Sequence, residues 1–246
     1  MATAAEGADY LLRGLELITR PGIRRFVFIP LSINALLFGL FLWFAFDQFS
    51  LFVDWLDARI PEWLQWISWL LWPLFAATAA LFVFFTFSVV ANIIGAPFNG
   101  LLAEAVEHQL TGRRPSDHSS MGALIADFIP SILNELRKLA YFATRAIPLL
   151  LLFLVPGLNM VAPFLWMAFS AWMLAVEYSD YPMANHGIRF PDQRRLLGRR
   201  RWLSLGFGGA TLAATMIPIV NFLVMPVAVA GATAMWVECF SDESTT

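Results

Sequence analysis

The sequence predicts an all-α integral membrane protein: two long transmembrane helices, two re-entrant helical hairpins that penetrate the membrane part way, and amphipathic or cytoplasmic helices. Three observations predict it. The 246 residues are 59% hydrophobic and only 14% charged, with a mean hydropathy of +0.67, against about 25% charged in a soluble domain. Four stretches carry no charge for 21, 41, 31 and 36 residues. The last two are interrupted by Pro-x-x-Asn, which is turn chemistry. Such segments share one bilayer-embedded bundle, so residues 1–246 are expected to form a single membrane domain.

Taken in order, residues 1–9 are small and polar. Leu11, Leu12, Leu15 and Ile18 follow a helical spacing, which predicts a short amphipathic helix, either on the membrane surface or as a cytosolic lead-in. The first 25 residues are too polar for the core of a cleavable signal. Phe26–Phe46 is the first transmembrane helix, since about 20 apolar residues cross a bilayer core. Pro30 falls near its start, where proline costs least, and Ser32 and Asn34 suit hydrogen bonds between helices. Asp47–Glu62 reads as a polar loop with four acidic residues and, of the 16 basic residues, only Arg59. That bias places it away from the cytoplasm, and the tryptophans at 55, 63, 66, 69 and 72 read as an interfacial belt.

The second transmembrane helix is expected over 63–95. The uncharged run continues to Ala103, about 60 Å if helical throughout, so a break is expected at Gly95-Ala96-Pro97-Phe98-Asn99-Gly100. An amphipathic helix then carries Glu104, Glu107 and His108. Thr111–Ser120 reads as a polar turn, and Ala123–Tyr141, with Asp127, Pro130, Glu135, Arg137 and Lys138, as cytoplasmic or interfacial helix. Residues 146–176 and 202–237 are the two hairpins, a repeat in which Pro156 and Asn159 correspond to Pro218 and Asn221. Their legs of about 10–17 residues are short for spans of about 17–25. Each is either re-entrant, the preferred reading, or a tight pair of minimal spans. Turn backbone at membrane depth must be buried in protein or line a wet cavity. Between them the basic run from Arg189 to Arg201 reads as topology signal and anionic-lipid contact.

No catalytic motif is present, so no enzyme is expected. The lone Cys239 excludes an internal disulfide and a cysteine metal cluster,. His108, His118 and His186 lack ligand spacing and read as surface residues, which leaves no cofactor and no metal site. Nucleic acid is not an expected partner. The remaining candidates are polar groups near the membrane. Gly22, Ile23, Arg24 and Arg25 sit at the mouth of the first span. Backbone N–H groups at a helix start and two planar guanidinium forks suit a doubly charged tetrahedral anion. Basic residues flanking a cytoplasmic helix end are the plainer reading of the same stretch. Asn99, Glu104 and Glu107 are candidates for a pathway or gate, against the plainer reading of a solvated helix face.

Pro21-Gly22-Ile23-Arg24-Arg25-Phe26, Ala96-Pro97-Phe98-Asn99-Gly100-Leu101-Leu102-Ala103-Glu104, Ser170-Ala171-Trp172-Met173-Leu174-Ala175, Asp180-Tyr181-Pro182 and the run from Met225 to Thr233 together resemble the CysZ family of bacterial sulfate permeases. The resemblance spans about Tyr10 to Phe240. It implies a multi-pass protein of the bacterial inner membrane that imports sulfate for cysteine biosynthesis, by a channel-like or ion-coupled route. It also implies homo-oligomers, dimeric or higher, with the orientation of each subunit left open. Sulfate would be held at Gly22, Ile23, Arg24 and Arg25. This chain has Gln109 where some relatives carry an arginine, which departs from a charge-paired pore entrance. A non-transporting membrane subunit or regulator acting through its hairpins is the alternative.

Overall fold

A computed structural model describes residues 3–59, 61–64, 66–113 and 121–241, the side chains of 62, 68, 83–85, 87–97, 121–131 and 219 apart. Among these the chain is all-helical and folds as two compact units, one of Arg25–Phe98 and the other of residues 1–24 and 99–246. His118 and the turn beyond residue 113 lie outside the described residues, as do the side chains of Asp127 and Pro130.

The smaller unit holds helix α2 (Arg25–Asp57), a single 3-10 turn at Glu62–Leu64 and the first part of α3 (Trp66–Thr111). Large aromatic side chains bridge the two helices. Phe41 stacks on Phe82 at 5.1 Å between ring centroids, Phe49 on Phe75 at 4.0 Å, and Phe46 meets Trp72 at 5.5 Å. Only Val27, Asn34 and Val53 of α2 are buried. A helix so apolar and so bare is stable only where the solvent is itself apolar, and α2 is long enough to cross a bilayer. Asn34 does not form the expected interhelical bond, for its buried Oδ1 has no hydrogen-bond partner among the described residues.

Two expected boundaries move. Asp47–Glu62 is not all loop: α2 continues to Asp57. At an exposed helix end Asp47, Asp54 and Asp57 stay hydrated, so charge does not stop the helix. Nor does Gly95–Gly100 break α3, which runs 46 residues without interruption. Pro97 supplies no backbone N–H to the ladder, and the helix nevertheless continues through it.

The larger unit is a bundle. Helix α1 (Ala4–Thr19) starts with a capping box in which Thr3 and Glu6 bond each other's backbone N–H,. It is no surface helix. Tyr10, Leu11, Gly14, Leu17 and Ile18 are buried, and the helix packs on α7 (Arg201–Thr215) and α8 (Pro218–Cys239). Gly14 lies directly on the Val227 carbonyl and the Gly231 backbone, and Gly231 on the Tyr10 carbonyl. The helices touch backbone to backbone, as small residues permit in membranes. Helix α5 (Ala162–Ala184) closes the core against α7 and α8, with Gly208 on the Ala171 carbonyl. Phe207, Trp236 and Phe240 fill the remaining space.

Helix α4 (Met121–Leu152) joins the expected interfacial helix and the first hairpin leg into one element, and α6 (Phe190–Arg199) covers the junction of α4 and α5. Both interruptions fall at the Pro-x-x-Asn sites. Residues 153–161 turn through Gly157 at φ +87° into α5, and Met216–Ile217 separates α7 from α8, with Pro218 at the helix start. The turns are apolar and bare: Leu154, Met160 and Phe164 in the first, Met216 and Phe222 at the second. Helix α7, at 15 residues, is about 22 Å long against a hydrocarbon core of about 30 Å.

Candidate functional site

The arginine turn is built from Arg20 outward. Gly22 takes φ +93° with open space around it, so glycine is needed there for its backbone, not its size. Ile23 is the anchor, 1% exposed. Its amide and that of Arg24 both donate to the Arg20 carbonyl at 3.2 Å. Those two N–H groups are therefore used inside the turn. The amides open to an anion start at Arg25, the first residue of α2, whose first-turn N–H groups have no acceptor within the helix,. The side chains of Arg20, Arg24 and Arg25 are exposed, and no carboxylate among the described residues pairs with Arg24. The Arg25 guanidinium lies 4.8 Å from the Phe26 ring centre.

Asn99 and Glu107 lie on the last turns of α3, within the larger unit, and both are buried; Glu104 and Gln109 are exposed. Asn99 Nδ2 donates to the Tyr181 hydroxyl at 3.4 Å, Asn185 Nδ2 donates to the Gly100 carbonyl at 3.2 Å, and Glu107 takes His186 Nε2 at 2.8 and 3.0 Å. These contacts tie α3 to the end of α5. The hydrogen bond that Glu107 accepts raises the His186 pKa above its ordinary value, partly offset by burial. Glu107 is thus not on a solvated face, whereas His186 and His108 are both exposed, as expected of surface residues, His186 with Glu107 as its partner.

A second polar cluster was not read from the sequence. Lys138, buried on α4, meets Asp180 at 2.9 Å, Glu135 at 2.8 Å and Glu177 at 3.7 Å. Burial alone would lower the lysine pKa, but the carboxylates of Asp180 and Glu177 overcome it and the net shift is upward. Burial pushes the Asp180 carboxyl up, and Lys138 offsets that only in part. Asp180 and Tyr181 are neighbours in the Asp180-Tyr181-Pro182 segment, so one turn of α5 holds both clusters. The only signal for it in the sequence was that segment together with a lone lysine among acidic residues.

The model of the family described as Sulfate transporter CysZ/Etoposide-induced protein 2.4 matches residues 10–226. The chain belongs to this family. A relative from Pseudomonas paraeruginosa named Sulfate transporter CysZ is 50% identical over 234 residues, 95% of each chain. A relative of the same name from Pseudomonas aeruginosa is 48% identical over the same share. The matched residues reach from α1 through both hairpin interruptions, so membership in the family covers both units. A membrane protein is what this family and the bare apolar surface of α2 call for.

Proposed function

We propose that this chain carries sulfate across the bacterial inner membrane, supplying sulfate assimilation and cysteine biosynthesis, and that it is a transporter, not an enzyme. The observation that carries this reading is near-complete coverage, at about half identity, by relatives named for sulfate transport. In this proposal Gly22, Ile23, Arg24 and Arg25 bind the anion. Gly22 sets the turn and Ile23 fixes it, while Arg24 and Arg25 supply the charge. Guanidinium forks match the oxygens of a tetrahedral dianion. Asn99 and Glu107 hold α3 in place along the pathway and Glu104, exposed on the same helix, faces the ion as a gate. The two hairpins dip into the membrane without crossing it, supported by the length of α7 and by the bare apolar turns. Homo-oligomers then enclose the backbone at those turns from lipid, as turn backbone at that depth requires.

Labelled sulfate uptake into proteoliposomes tests the proposal. The reconstituted protein is expected to take up sulfate, and Arg24→Ala with Arg25→Ala to weaken sulfate binding by at least about a hundredfold, at about 1.5–3 kcal/mol for each charged hydrogen-bonding group. Selenate should compete and chloride compete poorly. A correctly folded protein that neither binds nor moves sulfate sinks this reading.

A further inference from the structure

Outside the proposed sulfate site, two arginines converge on one aromatic ring and a third lines the same groove. The Arg145 guanidinium stands 3.8 Å from the centre of the Tyr141 ring, and that of Arg194 stands 5.1 Å from the same centre. Arg137 completes a groove of about 330 Å³, whose floor includes Phe190 and Pro191. None of the three pairs with a carboxylate among the described residues, whereas the neighbouring Arg195 is paired with Asp192 at 3.1 Å. The groove is fixed from below. Trp172 Nε1 donates to the Tyr141 hydroxyl at 3.0 Å, the Phe190 amide donates to Asn134 Oδ1 at 2.8 Å, and Gln193 Nε2 donates to the Val176 carbonyl at 2.6 Å. These bonds hold α4, α5 and α6 in register, so the guanidinium stems start from a rigid frame. Three cations gathered without a counter-ion repel one another, and an anion in the groove removes that cost.

The position says which anion. Arg145 is the last charge before the uncharged run of residues 146–176, where a helix leaves headgroups for hydrocarbon. On α4 the same face continues past Arg145 through Pro148 and Leu151, both exposed, toward Leu154 at the hairpin turn. A ligand with a phosphate at one end and acyl chains at the other meets both surfaces together.

We propose that the groove formed by Arg137, Arg145 and Arg194 around Tyr141 is a binding site for the headgroup phosphate of an anionic phospholipid, which seats the first hairpin at the membrane surface. Free phosphate compounds share the oxyanion chemistry, and the test separates the two sources. The full-length protein is delipidated in neutral detergent and titrated with phosphatidylglycerol, phosphatidylcholine or inorganic pyrophosphate. Bound lipid is read by native mass spectrometry, and fold by the melting of tryptophan fluorescence. Phosphatidylglycerol should bind in preference to phosphatidylcholine. The triple variant Arg137→Gln, Arg145→Gln, Arg194→Gln should weaken that binding on the order of a hundredfold, from about fivefold per basic residue at a membrane surface. A control that removes three charges elsewhere, Arg59→Gln, Arg113→Gln, Arg195→Gln, should leave it within about twofold by the same accounting. Should the triple variant misfold, Arg145→Gln alone is expected to cost about fivefold. Equal losses in test and control variants, no loss in either, or pyrophosphate binding that the test variant abolishes while lipid binding persists, would each overturn the assignment.

Discussion

Placing a single methyl group on Gly14 probes the central crossing of the larger unit. In Gly14→Ala the new Cβ is pushed into the Val227 carbonyl oxygen and stands 2.7 Å from the Gly231 amide nitrogen and 3.0 Å from its Cα. Every one of these obstacles is backbone. No side chain can rotate away, so α1 and α8 must separate along the whole contact. Overpacking costs about 1–3 kcal/mol where a core can shift, and a backbone-to-backbone clash belongs at about 3 kcal/mol. For a chain of this size that corresponds to a fall in melting temperature of about 6–12 °C. The assay is thermal melting in detergent, followed by the fluorescence of buried Trp236. Gly39→Ala is the matched control: its added methyl group meets nothing within 4 Å, and alanine in a helix interior is better than glycine by about 0.5–1 kcal/mol. If Gly14→Ala melts with the wild type, or if both variants fall equally, the close crossing of α1 on α8 is refuted.

Three further outcomes follow from the polar clusters and the arginine turn. Lys138→Met leaves the Asp180 carboxylate buried without its cation and should destabilise by about 3–5 kcal/mol, read as loss of monodisperse protein in size-exclusion chromatography. Because the His186 pKa lies above the ordinary 6.5 in the folded chain, its pairing with Glu107 is complete below that value and is lost as the pH rises through the raised one. The melting temperature should therefore decline as the pH rises from 6.5 through the raised pKa,, and His186→Asn should flatten this part of the profile. Gly22→Ala places a side chain at φ +93°, a strain of about 1–2 kcal/mol; sulfate binding, read by equilibrium dialysis, should weaken while the melt of the bundle is unchanged.

Helix class and interruptions were legible because they rest on local chemistry. A run of 21 uncharged apolar residues reads as helix in lipid, and Pro156 and Pro218 stand at the turns between helices, where the missing N–H costs least,. The place of α1 was not legible. Its apolar spacing is that of any amphipathic helix, and what puts it in the core is Gly7 and Gly14, whose value depends on carbonyls of residues 203 and 227. The continuation of α3 through Pro97 was hidden for the opposite reason: a local breaker is present and the helix runs on through it. At the candidate site, the cationic turn was visible as residues, but the use of the Ile23 and Arg24 amides by Arg20 was not, since it depends on the turn's geometry. Glu107 and His186 are 79 residues apart, beyond the reach of any periodicity.

The union of α1 with α8 has a consequence for biogenesis. Arg13 reaches Glu238 at 2.7 Å and Tyr10 reaches it at 2.9 Å, contacts spanning 225 and 228 residues. A ribosome adding about 5–20 residues each second needs roughly 10–45 s between making one partner and the other. During that interval the N-terminal helix has left the exit tunnel; α7 can cover its Gly7 end before α8 is made, but the Gly14 face stays bare until Val227 and Gly231 arrive. Truncation before Val227 would make that interval permanent, leaving a protein threaded into the bilayer by α2 whose first helix is open to chaperones and proteases.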